Sequence, residues 1–382
     1  MVKVVLLGQG MAASHFAVGL ERIKLGELEP YGIPLANHEL PIDIRDIKIV
    51  AGYDVDKDKI GKSIYDIAKK LLDDQIDIPA SLKDIKVYEG IHLGSLKGLP
   101  IDPRGLEDEL TLSQAIDTLI EEWRSMDADV FINVVTTEYT KEYDNFSKLV
   151  DAIESNLRDG LSASQVYAYA VYKYSKEVKP AAFINLNPTP LANDPAFLSA
   201  YESVNAIILG DDGATGATPL TADLLEHLAN RNRYVEFIVQ FNIGGNLDFL
   251  SLTQPSKSLM KEKTKSSIVE DILGYDAPHY IKPTGYLEPL GDKKFVSIHI
   301  GYKTFNGLND SIYINARIND SPALAGYMVD LARLGKLLLD KGFKGTVYEV
   351  NAFYMKKPGP REAKSVARII AYRNLLNWLK SL

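Results

Sequence analysis

Lys261 and Lys265 stand four residues apart in the run Met260-Lys261-Glu262-Lys263-Thr264-Lys265-Ser266-Ser267. On a helix both ammoniums would leave the same face, and like charges at that spacing oppose each other unless an anion lies between them. Two more lysines, Lys294 after Gly291-Asp292 and Lys356 before Lys357-Pro358, sit in otherwise apolar or turn-rich sequence. Lysines gathered in one pocket could hold an anion between them. On spacing alone, a solvated charged face is the commoner account of such a run.

A second chemistry is written at the N-terminus. Gly8-x-Gly10-x-x-Ala13 follows the apolar stretch Val4-Val5-Leu6-Leu7 and precedes a helical pattern. In that context the first glycine makes a tight turn and the second lets backbone N–H groups approach a pyrophosphate. The small third residue allows close packing of helix on strand. Asp54 ends the next strand and is placed to accept from a ribose hydroxyl, which would favour NAD over NADP. Three more segments are rich in Asn and Asp: Asn187-Pro188, Gly210-Asp211-Asp212, and Asn242 to Asp248. The first two follow apolar strands, and ligands of open α/β sheets bind at such carboxyl ends. Each residue taken singly has a duller role as a helix cap or turn former.

The elements that must position these residues fall into two textures. Strands are predicted at Val2 to Leu7, Ile47 to Tyr53, Val130 to Val135, Ala181 to Leu186 and Ala206 to Leu209. Helical periodicity separates them, as in the stripe Leu112, Ile116, Leu119 and Trp123. Buried strands alternating with amphipathic helices give a doubly wound parallel α/β sheet. From about Tyr234 apolar and polar residues alternate instead, through Val296, Ile298, Ile300 and Tyr302 and again through Ile312, Ile314, Ala316 and Ile318. Asn306-Gly307 suits a hairpin loop between them. After Asp320 a helix is predicted, with Ser321 as its cap, Pro322 at its first position and Gly342 at its end. A strand near Val347 to Ala352 and a helix from about Arg361 complete the expectation. The whole reads as an α/β domain interrupted by an α+β insert.

Composition narrows the partners. The chain has 382 residues, 46% hydrophobic and 25% charged, with a formal net charge of −8 and no cysteine. That acidity disfavours general nucleic-acid binding, which needs surplus Lys and Arg. Without cysteine there are no disulfides, thiolate nucleophiles or soft zinc sites, which fits a reducing cytoplasm. No apolar stretch approaches the roughly 18 residues of a membrane span.

Together these segments resemble the inositol-phosphate synthases, which isomerise glucose 6-phosphate, and most closely their shorter prokaryotic branch. The likeness runs in order through Gly8–Ala13, Tyr53-Asp54, Asn187-Pro188, Gly210-Asp211-Asp212 and Asn242 to Asp248. It continues through Lys261-Glu262, Lys265-Ser266, Gly291-Asp292-Lys293-Lys294, Asp320-Ser321-Pro322 and Tyr354-Met355-Lys356. The resemblance implies a Rossmann-like domain over residues 1–219, an α+β catalytic and tetramerisation domain over 220–320, and a return to the first domain over 321–382. It implies that Gly8, Gly10, Met11, Ala12, Ala13, Asp54, Thr136, Asn187, Pro188, Asp211, Asp212 and Asp320 bind NAD, and that Asn246, Asp248, Lys261, Lys265 and Lys294 bind the sugar phosphate. Lys261 and Lys356 would move protons near O5, while Lys265 and Lys294 would serve the phosphate and O1. Asp211 and Asp212, hard oxygen donors, are expected to hold a divalent or monovalent cation near the nicotinamide, with Asp248 close by. A homotetramer is implied as well. The chain departs from the family in carrying no lysine in Gly213-Ala214-Thr215 and in having Leu247 where many members have a second asparagine. The rival readings are an ordinary dehydrogenase that releases NADH and a non-catalytic NAD-binding regulator.

Overall fold

The computed structural model describes residues 1–74, 76–143 and 145–382, with the side chains of 259–267 outside that description. Six strands form the first sheet: β1 Val2–Leu7, β2 Ile47–Asp54, β3 Val87–Glu89, β4 Val130–Asn133, β5 Ala182–Asn185 and β6 Ile207–Leu209. They lie in the order β3-β2-β1-β4-β5-β6, and every pairing is parallel. Strand alternation explains the unbroken apolar run of β1. Val4 and Leu6 enter one core while Val5 and Leu7 enter the other, so both faces must be covered. The helix Leu112–Met126 covers the second face with the predicted stripe, and its start is fixed by a capping box between Thr111 and Gln114. The chain reverses direction of growth between β3 and β4, beside β1, which leaves a crevice at the carboxyl ends of β1 and β4.

The second sheet contains β7 Tyr234–Gly244, β8 His279–Tyr286, β9 Lys293–Lys303 and β10 Asn309–Asn319 in the order β10-β9-β7-β8. The predicted alternation in β9 and β10 is present, with Ile312 opposite Ile300 and Ile314 opposite Ile298. The hairpin loop turns at Asn306 and Gly307, both at positive φ. On one face Val296, Ile298 and Ile300 pack beneath the helices Thr218–Ala229 and Pro255–Leu273. The other face carries Phe241, Tyr280 and Tyr313, which stay exposed in the single chain.

The helix Asp320–Asp340 leaves the second sheet and crosses the first face of the parallel sheet, packing against β1, β4, β5 and β6 and the helix Met11–Lys24. Its buried Asp330 accepts from the Leu35 backbone N–H at 2.8 Å and the Tyr354 hydroxyl at 2.7 Å and pairs with Arg333. One carboxylate thereby ties the proline-rich loop, this helix and the segment after it.

Three expectations need correction. Val347 to Ala352 is not a strand: a helix spans Tyr348–Tyr354. Val347, Val350 and Tyr354 are buried at three- and four-residue steps, so the helical period outweighs the β-branched residues. Ser321 is not the cap of its helix, because Asn319 holds that position and Ser321 lies within the first turn. The final helix begins at Arg368 rather than near Arg361. Among the described residues no helix is long and apolar enough to cross a membrane.

Candidate functional site

A cavity of about 830 Å³ opens where the carboxyl ends of the parallel strands meet the edge of the second sheet. Its near wall is the turn between β1 and the first helix. Gly8 has φ +97°, and a Cβ there would stand 3.0 Å from the backbone of Val134 and Val135, so only glycine fits. At Gly10 nothing lies within 4 Å of a built Cβ, so a ligand can come against the backbone. Gly10 caps the helix Met11–Lys24 with no side-chain bond, and the first turn holds no acidic residue. The open N–H groups at Met11, Ala12 and Ala13 and the positive end of the helix dipole fit a pyrophosphate. Thr136 and Asn187 line the same space. These features fit NAD.

Asp54 stands at the predicted place, but its carboxylate is already occupied. Oδ1 accepts from the Val55 and Asp56 N–H groups at 2.8 and 3.0 Å. Oδ2 accepts from the Gln9 N–H at 2.8 Å and from Lys59 Nζ at 3.0 Å.

The far wall brings together groups from three parts of the chain. The segment after β6 runs antiparallel to the one after Tyr354. Ala214 N–H donates to the Tyr354 carbonyl at 2.8 Å, Lys356 N–H to Asp212 at 2.6 Å, and Asp211 N–H to Lys357 at 2.8 Å. This zipper places Lys356 Nζ 2.9 Å from Asp212 Oδ1, both nearly inaccessible to solvent. Lys294, brought in by β9, lies 3.0 Å from Asp320 Oδ2. Burial alone would raise the Asp320 pKa, but the ammoniums of Lys294 and Lys356 outweigh it and hold the carboxyl down at about 2. Gly216, at φ +70°, makes room for this arrangement, since a Cβ there would be 2.2 Å from Lys294 Nζ. Asp248 Oδ1 accepts from the Thr137 hydroxyl at 2.8 Å. Asn246 donates to Asp292 at 2.9 Å, and Asp292 in turn accepts from the Ser321 hydroxyl at 2.6 Å. That bond explains why Ser321 does not cap its helix.

Asp212, Asn246, Asp248, Asp320 and Lys356 line the cavity, and Lys294 stands behind Asp320. Asp211 and Pro188 are not on the wall. The Asp211 carboxylate lies inside the scaffold and accepts from the side chains of Asn185 and Asn193 and the backbone N–H groups of Leu191, Ala192 and Asn193. Burial still pushes its pKa up to about 6. Neighbouring positions in one motif thus divide, Asp211 to the scaffold and Asp212 to the cavity. Among the described residues no three His, Asp or Glu side chains form a metal-holding group. Lys261 and Lys265 lie on the helix Pro255–Leu273, and their side chains are outside the described residues.

The protein-family model for myo-inositol-1-phosphate synthase matches residues 216–321. A myo-inositol-1-phosphate synthase-related protein from Thermotoga maritima superposes with a TM-score of 0.94 at 57% identity, covering 100% of this chain and 98% of that one. The chain belongs to the myo-inositol-1-phosphate synthase family. Inositol-3-phosphate synthase of Mycolicibacterium smegmatis is 24% identical over 387 residues, 96% of each chain. The Caenorhabditis elegans inositol-3-phosphate synthase shares the fold, with a TM-score of 0.86 at 17% identity over 100% of this chain and 85% of its own.

Two lysines of this family member escape a reading of the sequence. Lys59 reaches Asp54 from five residues downstream. Lys257 is buried, donates to the Ser95 carbonyl at 2.7 Å, and burial lowers its pKa despite Glu138 and Asp248 nearby. Its spacing was a usable signal, because Lys257, Lys261 and Lys265 are each one helical turn apart.

The Asp320 pKa generates a pH-dependent expectation. A carboxyl depressed on folding contributes stability above its unfolded pKa, near 3.8, and loses it as pH falls towards about 2. Lys294→Met leaves that carboxylate with one ammonium fewer and should cost about 3 kcal/mol at neutral pH. The deficit should shrink as pH falls from about 4 towards about 2, where the wild-type carboxyl is itself protonated and the ion pair is lost. Urea unfolding of both proteins from neutral to acid pH checks this. A deficit that stays constant with pH would contradict the assignment.

Proposed function

We propose that this chain is an NAD-dependent isomerase that converts D-glucose 6-phosphate to myo-inositol 1(3)-phosphate. The observation that carries the reading is a cavity whose wall joins the Gly8–Ala13 turn to the Lys356–Asp212 pair and to Asp320, with Lys294 paired to Asp320 behind the wall. A simple dehydrogenase needs a hydride acceptor and a single acid–base group. An intramolecular aldol closure needs cations for a phosphate, an enolate and an alkoxide in one enclosed space.

Bound NAD would accept hydride from C5 of the open-chain sugar and return it to the same carbon after ring closure. With C5 a ketone, the protons on C6 become acidic. Loss of one places negative charge on O5, and C6 then attacks the C1 aldehyde, forming the C1–C6 bond and leaving an alkoxide on O1 that takes up a proton. Lys356, held against Asp212, is an ammonium donor for the charge on O5. As the family resemblance implies, Lys294 and Lys265 would serve O1 and the phosphate, and Lys261 would share proton transfer with Lys356. Asn246 and Asp248 orient the sugar hydroxyls. The cavity lies between the parallel sheet and the second sheet, where bound ligands would displace water as the charges develop.

A divalent or monovalent cation beside Asp212 would draw further oxygens from the bound ligands, since Asp211 is spent on the scaffold. A homotetramer would cover the outer face of the second sheet, where Phe241, Tyr280 and Tyr313 are exposed. A cytoplasmic location fits a cysteine-free chain.

Two outcomes test the proposal. Glucose 6-phosphate with NAD should give inositol phosphate with no net rise in NADH. Lys356→Met should lower kcat by about 100-fold or more while NAD affinity holds within about threefold. Stoichiometric NADH release would favour a dehydrogenase, and turnover that survives chelation and removal of monovalent ions would discard the cation. Light scattering should give four chains per particle for the wild type and fewer for Phe241→Asp with Tyr313→Asp; a wild-type monomer would overturn the assembly.

A further inference from the structure

We propose that Lys59 sets the dinucleotide selectivity of the cavity, and that the site takes 2′-phosphorylated nicotinamide dinucleotides as well as NAD. This rests on reading the cavity as a dinucleotide site and adds the class of dinucleotide it accepts.

An acidic residue at the end of the second strand ordinarily selects NAD in two ways. Its carboxylate accepts from the ribose hydroxyls, and its charge repels a 2′-phosphate. Here both functions are compromised by the same side chain. A carboxylate offers about four acceptor positions, and Asp54 has four donors on them: the N–H groups of Gln9, Val55 and Asp56, and the Lys59 ammonium. Three of the four are backbone groups fixed by the turn and by the end of β2. Ribose hydroxyls can therefore reach Asp54 only by displacing Lys59. The fourth donor also carries the charge that offsets the repulsion, since Lys59 Nζ stands 3.0 Å from Asp54 and 3.8 Å from Asp56.

The surrounding wall reinforces the effect. Between residues 54 and 70 the cavity is lined by four aspartates and by Lys57, Lys59, Lys62 and Lys70, so the segment is electrically balanced rather than acidic. Lys57 is engaged by Asp102 at 2.8 Å and Lys70 by Asp58 at 3.4 Å. Lys59, shared between Asp54 and Asp56, and Lys62 line the same wall beside the end of β2. A phosphate ester carrying close to two negative charges would gain charge-assisted hydrogen bonds from them. A 2′-hydroxyl would gain only what remains after Lys59 is moved aside.

Titration of full-length protein with NADH and with NADPH, read by cofactor fluorescence, separates the outcomes. The wild type should bind NADPH with a Kd within about tenfold of that for NADH. Lys59→Met should weaken NADPH relative to NADH by about tenfold or more, the scale of one lost charged hydrogen bond, with NADH affinity equal or improved. Wild-type binding of NADH with NADPH more than tenfold weaker would overturn the proposal, as would an unchanged ratio in Lys59→Met. Binding of neither cofactor would instead defeat the dinucleotide reading itself.

Discussion

Keeping two ammoniums and two carboxylates together in a largely buried site is the constraint on which the rest of the structure turns. Isolated charges of this kind would cost several kcal/mol each to desolvate, and pairing offsets that only where the geometry is held firmly. The holding is visible. Lys356 is fixed through its own N–H on the Asp212 carbonyl, within a short antiparallel zipper that joins segments more than a hundred residues apart. Lys294 is fixed by its place on β9, with Gly216 leaving the gap its ammonium occupies. The zipper sets the Lys356–Asp212 distance, and a side chain at position 216 would force the Lys294 ammonium to move.

The same constraint accounts for the domain arrangement. The parallel sheet can bind a dinucleotide alone, through Gly8, Gly10 and the first turn of the helix Met11–Lys24. It cannot supply Lys294, Asn246 or Asp248, which belong to the second sheet and its neighbouring loop. The helix Asp320–Asp340 begins at the cavity with Asp320 and then crosses the parallel sheet, so one element fixes a charged group and joins the two units. Asp292, bonded to both Asn246 and Ser321, ties the sheet to the start of that helix. The site is therefore a junction, and its groups keep their spacing through the bonds of Asp292, Asp212 and Lys356.

Much of this was legible in the sequence where a local period or turn carried it. The Gly8–Ala13 turn, the stripe from Leu112 to Trp123 and the alternation in β9 and β10 all fold as their patterns require. The pairings were not legible. Lys356 and Asp212 are 144 positions apart, and nothing in either neighbourhood names the other. Asp211 and Asp212 look equivalent in a motif, yet one faces five scaffold donors and the other an ammonium, a division set by backbone direction. Val347 to Ala352 reads as a strand from β-branched composition, while burial at three- and four-residue steps makes it a helix. Lys59 carries no signal in the sequence, since a lysine five residues after an aspartate is ordinary, and only the fold brings its ammonium onto the carboxylate.

The central claim is that hydride leaves and re-enters the same carbon within one enclosed cavity. It is tested most directly with glucose 6-phosphate carrying deuterium at C5, turned over with unlabelled NAD and analysed by mass spectrometry and NMR. The account predicts inositol phosphate that keeps its deuterium on the carbon derived from C5, with none in the dinucleotide pool. Deuterium lost to solvent or accumulating in free NADH would contradict it.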